Sequence, residues 1–483
     1  MRITAIPENP GATFPGVVEG NSVASLRDML RHVTPQYGPI LRASSFLGSG
    51  EPAGGGYAGH AELIDIDGLL QDVYGQPSME PGVNDTLFGG GKGFAIADVT
   101  LSTLGESLER VVAGLVATAP EMPSRRIVGS WDDLEDMGLP ALDPEAVSLF
   151  SEWQYATEGF LYAPFTREVP VQWVRGRRLV SREDIWVPAQ LVDMVHIFDP
   201  GEELVGYPVS GGLSCHVSYR DAIYHGLTEV IERDAVNVSW YTSNPPDVVT
   251  LDATTRGLLG GFADRLEHDH SHAFLLRHPS DVCSASTFSF VGLQNWLSRR
   301  RYCAGGGCDL SAFTGVRKAA AEFGQTRSTL SLANVAPGSS VGRSVRTMFD
   351  WDEDRHLSEM TLFFQAIGFY GLEQNARHLD HYFKGEEIAG EELFDIEQRH
   401  RSKLSTAERL EILTDELSQS GIDPIILDYS HPDWKSLSVV KVFVPELTTP
   451  FLQSRPMLGH PRLSNVRADL RQEDGQVLPL PYP

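Results

Sequence analysis

The chain has 483 residues, 41% of them hydrophobic, enough for a sizeable buried core divided into roughly two to four lobes. Its formal charge of −26 repels nucleic-acid phosphates and anionic lipid surfaces, which excludes nucleic acid and membrane as general partners. The four cysteines, Cys215, Cys283, Cys303 and Cys308, show no CxxC spacing, which argues against a structural zinc site or a disulfide framework. No apolar run has membrane-spanning length, and the opening MRITAIPENPGATFPG lacks a signal-type apolar segment, so the expected compartment is the cytoplasm.

In chain order, residues 22–34 carry helical spacing of Leu26, Met29 and Leu30. Two strand-like stretches, PILRASSF and AELIDID, flank the Gly-rich run 48–59, and a second glycine cluster, 89–93, precedes a helix over about 97–117. Strand patterns follow in VPVQWVRG and in RRLVSREDIWVPAQLV. A helix is predicted over 219–239, with Ser218 as N-cap and Asp221 at the third helical position, and another over 313–333. The last third alternates acidic helices, 352–384 and 406–420, with the strands PIILDYS and SVVKVFVPEL. There is no tandem repeat. The predicted class is α+β, with mixed, largely antiparallel sheets and flanking helices.

Three of these helices carry chemistry. Ser102, Glu106 and Glu109 stand at i, i+4 and i+7 and share a face; Glu229, Glu232 and Arg233 cluster on the second helix; Glu322 and Gln325 are at i, i+3 on the third. A single Glu-x-x-Glu-Arg helix is ordinarily a solvated face with internal ion pairs. Three such helices, each embedded among small or apolar residues, favour a shared cleft of oxygen ligands. Carboxylates gathered in one cleft repel one another unless cations neutralise them, and magnesium is commonly shared between carboxylates and phosphates. Arg233 and Arg327 are the candidates to meet phosphate charge. Other nucleotide signatures fail. The GGGKG run is not a P-loop, because Thr86 replaces its first glycine and Gly93 its Ser/Thr. The His268, His270, His272 run reads as a polar loop at a helix end rather than a metal site.

Taken in order, these motifs resemble the YcaO superfamily over roughly residues 86–450. Ser102-x-x-x-Glu106-x-x-Glu109-Arg110, placed after Gly91-Lys92-Gly93, matches the first family motif. Glu229-x-x-Glu232-Arg233 matches the second and Glu322-x-x-Gln325-x-Arg327 the third, and Tyr207–Leu227 is similar to the stretch before the second helix. The resemblance implies a YcaO fold around an ATP–magnesium cleft. Lys92, Ser102, Glu106, Ser214, Asp221, Glu229, Arg233, Gln325 and Arg327 would bind nucleotide, and Glu106, Glu109, Glu229, Glu232 and Glu322 would be metal ligands. Gly211 stands where many members have Asn, and His216-Val217 where many have Gly-Asn, which makes His216 a candidate for the missing polar contact.

The chain ends Pro479-Leu480-Pro481-Tyr482-Pro483, similar to the Pro-x-Pro-x-Pro tail of azoline-forming cyclodehydratases. Alternating prolines hold an extended segment that can deliver a terminal carboxylate into a cleft at little ordering cost; the other reading is a frayed terminus. The implied reaction is ATP-dependent cyclodehydration of Cys, Ser or Thr in a ribosomally made precursor peptide to thiazoline or oxazoline, with ADP and phosphate released. The Pro483 carboxylate is the candidate base, with Arg233 and His216 as further catalytic candidates. Members that form macrocyclic amidines or thioamides share the ATP motifs, and a non-catalytic accessory role is the reading from another class. The expected organisation is an N-terminal segment 1–85, serving peptide recognition or dimerisation, a catalytic domain 86–465 and a tail 466–483. The expected assembly is a homodimer that either is served by a separate leader-peptide-binding protein or binds the precursor itself.

Overall fold

The computed structural model describes residues 26, 29–34, 36, 38–47, 57–64, 88–116, 125–268, 272–293, 302–336, 338, 340–360, 362–430, 437–449, 455–472 and 475–482. Within them three sheets are tied together by three long helices. The first sheet is antiparallel, β1 (Ile40–Leu47), β2 (Tyr57–Leu63) and β3 (Phe88–Gly93), so the first 85 residues supply two strands to a sheet that β3 completes. Helix α1 (Ile96–Leu115) lies on it and buries Leu101, Leu104, Leu108 and Val111.

The second sheet is six-stranded. It contains β4 (Arg126–Gly129), β5 (Val171–Arg178), β6 (Asp184–Pro188) and β7 (Leu213–His216). Helix α2 (Tyr219–Tyr241) follows β7 directly, its first turn capped by the Ser218 hydroxyl, which accepts from the Asp221 amide at 3.1 Å. The third sheet, of five strands, holds β8 (Asp247–Val249), β9 (His272–His278), β10 (Ser286–Leu293) and β11 (Tyr302–Asp309). Helix α3 (Ala312–Val335) packs along β11 and reaches across to β3. A short β12 (Glu387–Ile388) joins β8 in parallel. Helix α4 (Thr406–Gln419), with a Ser405–Glu408 capping box, leads to β13 (Ile425–Asp428) and β14 (Ser438–Phe443), which close the six-stranded sheet in the order β4-β5-β13-β14-β7, with β6 on β5. This is the α+β arrangement of largely antiparallel sheets expected from the pattern.

The glycine cluster 89–93 is part of strand β3. A Cβ on Gly59 or Gly91 would lie 1.8 or 2.0 Å from the Thr103 hydroxyl, so the glycines are there to let β2 and β3 abut α1. The acidic stretch 352–384 is not one helix. It breaks into 3₁₀ turns at Leu357–Glu359 and Arg377–Phe383 and short helices at Phe364–Tyr370 and Glu373–Ala376. Within the helix Phe364–Tyr370, Gly368 packs against the Phe349 carbonyl, 2.1 Å from where a Cβ would stand. Residues 22–25, 27 and 28 of the 22–34 segment, and 269–271 of the His268–His272 run, lie outside the described residues. No described helix is long and apolar enough to cross a membrane.

One buried group makes the fold acid-sensitive. His278, 1% exposed on β9, shares a 2.8 Å hydrogen bond between Nε2 and the Ser289 hydroxyl, and burial pushes its pKa down to about 3. The folded value lies below the unfolded one, so this contribution is complete above about pH 6.5 and is lost as pH falls toward 3, at about 1.4 kcal/mol per pH unit. Between pH 6.5 and 5 a His278→Asn variant should therefore lose about 2 kcal/mol less stability than the parent in urea unfolding. Parallel pH dependences would refute the assignment.

Candidate active site

The three motif helices meet beside β3, β7 and β11, and the C-terminal tail packs between β11 and α2. On α1, Glu106 and Glu109 flank Arg110, whose guanidinium lies 3.9 Å from each carboxylate. On α2, Glu229 and Glu232 flank Arg233 in the same way, at 3.9 and 4.0 Å. On α3, Glu322 accepts from Lys92 Nζ at 2.7 Å and, through its second oxygen, from the Gly306 amide at 2.6 Å. Gln325 is beside Gly90: a Cβ there would be 2.7 Å from Gln325 Nε2 and 3.8 Å from both oxygens of Glu106. Thus α1, β3 and α3 share one wall of the cleft.

Backbone contacts set these side chains. The Ser102 hydroxyl accepts from the Lys92 amide at 3.0 Å and faces the Lys92 carbonyl at 3.2 Å, which clamps β3 to α1 and aims Lys92 at Glu322. Ser214 is buried on β7 opposite Val440, and the backbone of its neighbour Cys215 hydrogen-bonds Glu109. The Gly212 amide donates to Glu229 at 3.1 Å. Gly305, Gly306 and Gly307 of β11 let both layers approach. A Cβ on Gly305 would be 2.0 Å from the Phe323 amide of α3, and one on Gly306 would overlap the Tyr482 hydroxyl on the opposite face.

The tail is seated in the site. Pro479–Tyr482 are buried; the Tyr370 hydroxyl donates to the Pro479 carbonyl at 2.5 Å and that of Tyr302 to the Pro481 carbonyl at 2.6 Å. Tyr482, 1% exposed, donates to Glu232 at 2.7 Å, and its ring lies under the Arg233 guanidinium at 4.7 Å. Pro483 is outside the described residues.

The electrostatics follow from burying more carboxylates than cations. Burial raises the Glu109 pKa to about 8; Arg110 opposes this, and Glu229 and Glu106 add to it. Burial also raises Glu232, against Arg233 and with the help of Glu322. Glu106 moves the same way by burial, against Arg110 and Lys92, although its side chain is 40% exposed and water tempers the effect. Glu322 goes the other way: burial works to raise it, but Lys92, Arg233 and the Gly306 amide outweigh that and hold it below the usual carboxylate range. Arg233 is raised despite burial by Tyr482, Glu232 and Glu229.

Not every predicted residue joins this group. Asp221 caps α2 through Ser218, and its carboxylate lies 3.5 Å from His216 Nδ1. His216 stacks on His225 with ring centroids 5.0 Å apart, and burial lowers its pKa, with Asp221 opposing and Lys318 assisting. These side chains form a neighbouring cluster at the start of α2. Arg327 is buried, and at about 100° per residue it points some 140° round α3 from Glu322. Three contributors were not singled out from the sequence. Tyr482 was hidden inside a tail read for its prolines. Gly306 was signalled by a triple glycine within a strand. Lys441 was signalled by a lone charge in the apolar run SVVKVFV, a residue type rarely buried.

Residues 90–448 match the sequence profile of a family described as YcaO cyclodehydratase, ATP- and Mg2+-binding. An uncharacterized protein in the tfuA 3′ region of Rhizobium leguminosarum bv. trifolii is 24% identical over 311 residues, 62% of this chain and 66% of that protein. A heterocyclase solved in complex with substrate and cofactor superposes with a TM-score of 0.70 at 19% identity, covering 96% of this chain and 58% of its own. The chain thus spans less than two thirds of either protein. YcaO from Methanopyrus kandleri, solved with AMPPCP and Mg2+, superposes with a TM-score of 0.57 at 17% identity, covering 88% of this chain and 91% of its own. At these identities the structural likenesses establish the fold.

Proposed function

The chain belongs to the YcaO family of ATP- and Mg2+-binding cyclodehydratases, and from that premise we propose that it activates backbone amides of a ribosomally made precursor peptide and cyclodehydrates Cys, Ser or Thr to thiazoline or oxazoline. The observation that carries this reading is a surplus of carboxylates: the buried Glu232 and the partly buried Glu106, Glu109, Glu229 and Glu322 meet Lys92, Arg110 and Arg233 in one cleft. A cleft built in this way is destabilised by its own charge and is relieved by divalent cations. Among the described residues no three acidic, imidazole or thiol groups converge on one point as a self-sufficient metal site. That suits magnesium, which usually takes one or two carboxylates and completes its shell with phosphate oxygens and water.

Glu106, Glu109, Glu229 and Glu232 are the residues that would hold magnesium ions, one or two carboxylates to each, with Glu322 engaged by Lys92. When bound, magnesium–ATP would supply the γ-phosphoryl group that the amide oxygen accepts, so that this oxygen leaves as phosphate and ADP is released. The protein contributes charge and position. Arg233, fixed between Glu229, Glu232 and the Tyr482 ring, and Lys92, fixed by Glu322, present two preset cations to phosphate. Gln325 offers an amide beside Gly90. Pro479–Tyr482 are buried in the same cleft, and the Pro483 carboxylate is the proposed base. The peptide is delivered by a separate recognition protein, and the enzyme acts as a homodimer.

The test is intact-mass analysis of a short peptide encoded beside this gene, incubated with the protein and magnesium–ATP, with and without a co-encoded recognition protein. The expected result is loss of one water per ring with matching ADP release, and fragmentation that places the ring at Cys, Ser or Thr. A ring closed through an amine, or exchange of oxygen for sulfur, would replace the azoline assignment. Absence of magnesium-dependent ATP binding would overturn the catalytic reading.

A further inference from the structure

Lys441 is 1% exposed, in a strand whose neighbours Val439, Val440, Val442 and Phe443 are all buried. A buried ammonium is costly unless it is paired, and an apolar strand of this kind has no packing need for it. Among the described residues no carboxylate lies within ion-pair distance of its amine. Instead Nζ donates to the carbonyls of Val209 and Gly211, at 2.5 and 2.6 Å. The charged groups that face it are those of the cleft: Glu229 and Glu109, with Asp193, on the attractive side and Arg110 on the repulsive side.

The two carbonyls belong to the loop that ends at Gly212, and this loop is held from the same strand at a further point. The Val442 amide, one residue on from Lys441, donates to the Gly212 carbonyl at 2.8 Å. Gly212 has φ +83°, and a Cβ there would lie 2.2 Å from the Val442 carbonyl. From the helix side, a Cβ on Gly226 would lie 2.7 Å from the Gly212 carbonyl. The loop is therefore wedged between β14 and α2 with no room to slide. What it presents to the cleft is the Gly212 amide, which donates to Glu229 Oε2 at 3.1 Å. An unbroken path of contacts runs from the Lys441 amine, through two carbonyls and one peptide unit, to a carboxylate of the second motif helix.

We propose that Lys441 is a positioning residue of the magnesium–ATP site, fixing the Val209–Gly212 loop so that its terminal amide holds Glu229. The proposal rests on the function proposed above. A lysine is suited to the task because one ammonium has three donors and can tie two carbonyls of one loop at once. Methionine has similar volume but ties neither.

The experiment measures binding of Mg2+–AMPPCP by calorimetry to the full-length protein and to Lys441→Met, Glu229→Gln and the double variant. Lys441→Met should weaken binding at least about tenfold, the scale of a lost hydrogen bond to a charged group. In the Glu229→Gln background the same change should alter affinity by no more than about twofold, because the path ends at the group already neutralised. Equal binding by parent and Lys441→Met overturns the proposal, and so does a tenfold loss that persists unchanged beside Glu229→Gln. Should Lys441→Met fail to fold by circular dichroism, Lys441→Arg takes its place in the cycle. It keeps the donors but displaces them, and the same coupling to Glu229 is expected. A parent protein that binds no Mg2+–AMPPCP brings down the proposed function itself, which separates that failure from the failure of Lys441.

Discussion

Replacing Glu232 with glutamine should abolish the response to magnesium–ATP while raising the melting temperature of the ligand-free protein. Glutamine keeps the shape of the side chain, and its amide oxygen still accepts from the Tyr482 hydroxyl, so packing is preserved. What disappears is one negative charge from a cleft in which burial and the nearby Glu322 already disfavour ionisation, against Arg233. With the folded pKa raised, the ionised carboxylate costs the ligand-free fold stability above the unfolded value near 4.3, and the neutral amide does not. The gain is on the order of 1 kcal/mol, worth about 2 °C in a domain of this size. Magnesium–ATP should then bind at least about 100-fold more weakly, beyond the 10- to 100-fold typical of losing an outer-shell partner. Thermal scans at pH 7.5 with and without Mg2+–ATP read both effects. A lower melting temperature for the variant, with an unchanged ligand-induced shift, would mean that Glu232 is a structural ion-pair partner and not a ligand.

The second large effect lies in the tail. Removing residues 479–483 should reduce peptide turnover at least about 100-fold, as expected when a group that positions a catalytic cation is lost. Truncation deletes the Tyr482 phenol from between Glu232 and Arg233, exposes both, and leaves the Tyr302 and Tyr370 hydroxyls without the Pro481 and Pro479 carbonyls. It also removes the buried side chains of Leu480 and Tyr482, a loss of roughly 3–5 kcal/mol for the aromatic alone. Tyr482→Phe separates the two contributions. The ring stays under Arg233 and the fold should hold, while loss of the hydrogen bond to Glu232 should cost turnover about tenfold. Removing Pro483 alone shifts the terminal carboxylate by one residue and tests its role as base: a collapse of turnover with Mg2+–ATP binding intact supports it. Full activity in the five-residue truncation would show that the tail is packing and nothing more.

The periodicity of apolar residues made the three long helices legible to within about two residues at each end. It also placed Glu106 with Glu109 and Glu229 with Glu232 on common faces, because an α-helix repeats every 3.6 residues whatever surrounds it. The motif order supplied the family, and the alternating strands supplied the α+β class. Reading failed where conformation depended on a distant neighbour. The 352–384 segment reads as one acidic helix and instead folds as short helices and 3₁₀ turns, one of which packs against Phe349 through Gly368. The cap of the second helix was local and legible: Ser218 and Asp221 pair at its start as their spacing predicts, with His216 beside them.

By itself, then, the sequence determined which residues share a helix face, which family the chain resembles, and that its surplus charge is acidic. Only the tertiary structure decided which faces meet. Lys92 finds Glu322 across 230 residues, Tyr482 finds Glu232 across 250, and Lys441 reaches the loop that holds Glu229 across 230. Such pairings carry no local signature. They arise when β3, β11, β14 and the tail are packed around the three helices, and it is the burial produced by that packing that turns ordinary glutamates into a cleft that favours cations.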